Sequence, residues 1–110
     1  MVSLLQAPQA VGPIEYLGDG PVVADCVRLR RLLGTTDQEA FVTAPSPGIV
    51  ACAMVNAYYP SMDAYVDALA EALRPEYEAI VAQGFVLQID APDLAMERHT
   101  LFADQPLEDF

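Results

Sequence analysis

No part of this sequence leaves the fold less freedom than the passage from Ser61 to Asp90, SMDAYVDALAEALRPEYEAIVAQGFVLQID. Met62, Tyr65, Val66, Leu69, Leu73, Tyr77, Ile80 and Val81 recur at i, i+3, i+4, i+7 spacing, which is one apolar face of a helix. Acids at positions 63, 67, 71, 76 and 78 occupy the remaining surface. Ser61 is a good N-cap, with Asp63 in the first turn where the helix dipole favours an acid. Pro75 has no N–H to give, so it predicts a kink or a tight helix–helix join. Gly84 stops the helix and FVLQID begins at once. Residues 85–89 are apolar on both sides, as strands covered by helices are.

The same rhythm occurs upstream. Residues 1–12 read as a loose lead-in, and Pro13–Leu17 (PIEYL) as a short strand ended by Gly18-Asp19-Gly20. Pro21 suits a first helical position, because its φ is already set and no donor is wasted. Val22, Cys26, Leu29 and Leu33 then follow at helical spacing, with Arg28, Arg30 and Arg31 mostly on the other side and Gly34 as C-cap. Glu39–Thr43 (EAFVT) predicts a second strand, closed by APSPG. Ile49–Tyr59 predicts a helical turn or two before Pro60. Strands alternating with helices imply an α/β fold with a parallel sheet and right-handed crossovers, here β-α-β-α-β with a polar tail from Ala91. Three such strands leave an unpaired edge at each end, so self-association or a complementing chain is expected.

Charge narrows the partners. Sixteen acids face five arginines and no lysine, for a formal charge of −11. That balance repels phosphate backbones and anionic lipid, which argues against nucleic-acid or membrane-surface binding. The N-terminal MVSLLQAPQAVGP has no basic n-region, and no segment has the ~18 to 20 uninterrupted apolar residues that span a bilayer. A soluble cytoplasmic protein is the expectation. Cys26 and Cys52 are read as buried free thiols.

Few residues carry chemistry. Gly18-Asp19-Gly20 lacks the third glycine of a dinucleotide fingerprint, because Val23 stands in its place, and a tight turn explains it. His99 is the only histidine, and with two distant cysteines it makes no zinc spacing; an exposed loop position is expected. Tyr58 and Tyr59 are expected to pack. Asp90 is different, since it follows the last strand residue and so lies at the carboxyl end of a parallel strand, where ligands bind in such folds. Its carboxylate can accept from an ammonium group. It can equally cap the following loop through the N–H of Asp93 or Leu94, and both readings stay open. Thr43 and Ser46 lie at the same end of the preceding strand.

FVLQIDAPDLAM resembles the IQIDEPAL segment of the cobalamin-independent methionine synthase superfamily. ALAEALRPEYEAIVAQG is similar to the helix before it, and AFVTAPSPGIV to the strand and TGP-type loop one unit earlier. The resemblance covers roughly residues 13–110. It implies an incomplete portion of a (β/α)8 barrel, whose full form needs ~250 residues. It also implies methyl transfer from a folate or similar donor to a zinc-bound thiol such as homocysteine. By the resemblance Asp90 binds the substrate amino group, while Thr43, Pro45 and Ser46 line the pocket. Ala91 departs from the family, which carries Glu there. The family's zinc ligands come from later strands, and no segment resembling HVCWG occurs in these 110 residues. No catalytic residue or metal ligand is therefore assigned, and no activity is expected of the chain alone. The alternative is a non-catalytic α/β module that oligomerises or complements a partner chain.

Overall fold

The computed structural model describes residues 6–110. Along the chain the elements are β1 (Gln9–Ala10), α1 (Gly20–Leu33), β2 (Phe41–Pro45), α2 (Pro47–Ala53), β3 (Val55–Asn56), α3 (Met62–Ala82), β4 (Val86–Asp90) and α4 (Asp93–Met96). Two 3-10 turns follow, at Glu97–His99 and Leu107–Asp109. The helix ends obey local chemistry. Asp19 precedes α1 with Pro21 in its first turn, and Gly34 closes it at φ 61°, a left-handed conformation that favours glycine. Ser61 caps α3 by accepting the Ala64 N–H at 3.1 Å. Gly84 makes the turn from α3 into β4 at φ 87°.

β2 and β4 are paired in parallel, from Phe41 against Val86 to Pro45 against Asp90. The expected parallel α/β character holds. The expected portion of a (β/α)8 barrel does not: the described strands form two separate two-stranded sheets, β1 with β3 and β2 with β4, and no barrel. Pro13–Leu17, read as the first strand, is not one, and Leu17 is 99% exposed. The ladder is instead taken up four residues earlier, where Gln9 and Ala10 pair with Val55 and Asn56. The Ile14 N–H is satisfied by the Tyr59 hydroxyl at 2.8 Å and needs no neighbouring strand. Part of the expected lead-in is therefore structured, while its residues 1–5 lie outside the described residues.

Two cores result. Val22, Cys26, Ala44, Ile80 and Phe85 form the first, flanked by Leu29, Leu33, Val42, Tyr77 and Leu87. Ala10, Tyr65 and Leu69 form the second, flanked by Ile14, Val50, Met54 and Tyr59. α3 serves both, through Tyr65 and Leu69 near its start and Tyr77 and Ile80 near its end. It runs as one helix through Pro75, so the join between two helices does not form. Arg30, expected on the solvent side of α1, stacks over the Phe85 ring at 4.3 Å and donates to the Gln83 carbonyl at 3.1 Å.

One face of the β2–β4 sheet rests on helices; the other is bare. Phe41, Thr43 and Pro45 of β2 and Val86, Gln88 and Asp90 of β4 are all exposed, Phe41 by 58% and Val86 by 45%. The accessible surface is 7988 Å², about 2,000 Å² above the ~6,000 Å² of a compact protein of this mass.

Candidate functional site

The carboxyl ends of β2 and β4 bring the candidate residues together. Asp90 is exposed, and among the described residues its carboxylate makes no hydrogen bond. The loop-capping alternative is not used: the Leu94 N–H goes to the Ala91 carbonyl at 3.2 Å. Across the ladder stands Pro45, whose carbonyl accepts the Tyr77 hydroxyl at 2.6 Å, so α3 fixes the end of β2. Burial pushes the Tyr77 phenol above its ordinary range, with the Glu76 carboxylate adding to it, which keeps the hydroxyl a donor. Thr43 lies exposed on the bare face, two residues before Pro45.

Ser46 is tied into its surroundings. It is 7% exposed, and its hydroxyl is committed twice, accepting the Ile49 N–H at 3.0 Å and donating to Asp93 Oδ1 at 2.9 Å. Its own N–H donates to the Asp90 carbonyl at 2.9 Å. Asp93 is 9% exposed and sits against Gly48 in the first turn of α2. A Cβ at position 48 would collide with the Asp93 carboxylate, lying 2.9 Å from its Cγ. Sequence reading missed Asp93 and Gly48. The available signal was a glycine in the first turn of a helix, a costly residue there unless something approaches closely.

A cleft of about 350 Å³ lies beyond this point, between α2, the start of α3 and the C-terminal turns. Gly48, Cys52, Met62, Asp93, Glu97 and Phe110 are among its walls, whereas Asp90, Thr43 and Ser46 are not. Cys26 is buried as expected, but Cys52 is exposed, on a helix none of whose residues is buried. Partial desolvation raises the Cys52 thiol pKa, and the Glu97 and Asp93 carboxylates raise it further. His99 is exposed on the 3-10 turn. Tyr59 stacks on Tyr65 with ring centres 5.8 Å apart, so it packs, while Tyr58 meets Tyr59 edge-on.

Among the described residues no group of three or more His, Cys, Asp or Glu side chains could hold a metal ion. Cys26 is sealed in the first core and Cys52 and His99 lie on other elements, so these residues do not fit a zinc centre. Nor is any helix among them long and apolar enough to cross a membrane. No protein-family model matches the chain, and neither a curated protein nor a solved structure matches it.

Proposed function

We propose that this chain contributes the amino-group contact of a cytoplasmic methyl-transfer site acting on a thiol amino acid such as homocysteine. The rest of that site, its zinc and its folate-type donor included, would come from another polypeptide. The reading rests on the resemblance of FVLQIDAPDLAM, and one observation carries it. Asp90 presents an exposed carboxylate, without a partner among the described residues, where two parallel strands end together, which is where an ammonium group can be held. An exposed ion pair contributes only about 0 to 1 kcal/mol, so the chain alone binds weakly and turns nothing over. Titrating labelled chain with L-homocysteine by NMR should give saturable shifts around Asp90 that Asp90→Asn abolishes. Shifts that persist unchanged in Asp90→Asn, or none in the wild type, would refute the assignment.

A second reading, a non-catalytic module that assembles with copies or with another chain, has its own support. One face of β2 and β4 is exposed, and the surplus of about 2,000 Å² in total surface exceeds the ~800 Å² per partner of a standard interface. Sedimentation of the chain alone separates the two. A monodisperse oligomer that unfolds cooperatively supports self-assembly, and a monomer points to a different polypeptide.

A further inference from the structure

Ser46 touches both ends of a single tetrapeptide. Its N–H holds the Asp90 carbonyl at 2.9 Å, and its hydroxyl holds Asp93 Oδ1, also at 2.9 Å. Between those two points lie only Ala91 and Pro92, and Pro92 has its φ fixed by its ring. The Asp90–Asp93 turn is thus stapled at its start and its finish by one residue of the neighbouring loop. The staple is seated in turn, because Ile49 N–H donates to the same hydroxyl and Gly48 leaves the space that Asp93 fills. An ordinary turn needs no such arrangement, and an acid buried to this degree is costly unless its oxygens are held. Asp90, by contrast, has its backbone anchored and its exposed carboxylate without a partner among the described residues.

We propose that Ser46, Gly48 and Asp93 form a positioning clasp that aims the Asp90 carboxylate, with Asp93 itself a positioning residue and not a ligand contact. The clasp fixes where β4 ends and which way its last side chain leaves the sheet. A ligand ammonium then meets a carboxylate whose backbone is already ordered, so less entropy is lost on binding. This inference deepens the ammonium-binding reading of Asp90, but the geometry it describes can be tested without any ligand.

The test uses the full chain, with the Asp90 side-chain carboxyl carbon observed by NMR and stability followed in urea. Ser46→Ala removes only the hydroxyl and Asp93→Ala only the carboxylate. Each should move the Asp90 resonance and weaken L-homocysteine association by up to about fivefold, the most that an exposed ion pair at Asp90 supplies. Ser46→Thr and Asp93→Asn keep a donor and an acceptor and should restore both readings. Gly48→Ala should destabilise the wild type but cost far less in the Asp93→Ala background, where nothing fills the space. If Asp93→Ala does not fold, Ser46→Ala with its Thr rescue decides. An Asp90 resonance unmoved by Ser46→Ala, with stability alone reduced, would overturn the clasp. Absence of homocysteine binding in the wild type would instead defeat the ligand reading, while the Asp90 resonance still reports on the clasp.

Discussion

An exposed carboxylate that makes no hydrogen bond among the described residues does little for its own fold, so Asp90 is free to be changed. Asp90→Asn should leave the urea midpoint within about 0.5 kcal/mol of wild type, whereas Asp93→Ala, emptying a buried acceptor beside Ser46, should cost about 1 to 3 kcal/mol. Equal losses for the two would mean that Asp90 is structural after all. The cysteines divide in the same manner. An alkylating reagent should label Cys52 in the native chain and Cys26 only on unfolding, which mass spectrometry of the digested protein reads directly. Because its neighbours raise the Cys52 pKa, less thiolate is present at any given neutral pH, and labelling should lag behind a free cysteine. Glu97→Gln removes one of those charges and should speed it. Asp90 could be found in the sequence because a strand ending on an acid is a local pattern. Asp93 could not, since its partner Ser46 is 47 positions away and only the pairing of β2 with β4 unites them.

Elements with strong internal signals were readable: α1 and α3 lie where apolar spacing, caps and glycine stops predict them. The exception is instructive. Pro13–Leu17 has strand-like composition, yet Gln9–Ala10 pairs instead, because β propensity describes a residue's fit to a half-buried surface and among the described residues no strand pairs with Pro13–Leu17. Two-residue strands such as β1 and β3 have no periodicity to read at all. Pro75 offers a test at this scale. It leaves the Glu71 carbonyl without its helical donor inside an otherwise continuous α3, so Pro75→Ala should raise stability by about 1 to 3 kcal/mol in urea denaturation. A neutral outcome would show that the helix has already adapted to the gap. The pair Arg74–Glu71 is exposed on both sides and is expected to add little.

At the scale of the molecule, parallel α/β architecture was legible and the arrangement of its sheets was not. The alternation of strands and helices locates α1, β2, α3 and β4, but strand neighbours depend on long-range packing that no local spacing encodes. The bare β2–β4 face sets the prediction here. If it is buried by assembly, Phe41→Asp should lower the sedimenting mass; if it is open in solution, Phe41→Asp should leave mass and stability alike unchanged. A further consequence lies in α3, whose first half belongs to one core and whose second half belongs to the other, with Pro75 beyond Leu69 and just before Tyr77. The interrupted ladder at Glu71 is where the two halves are least able to enforce each other's order. Amide exchange along this one helix should therefore fall into two blocks with different opening free energies, stepping between Leu69 and Tyr77. A single helix would then report two melting events, and Pro75→Ala should fuse them into one.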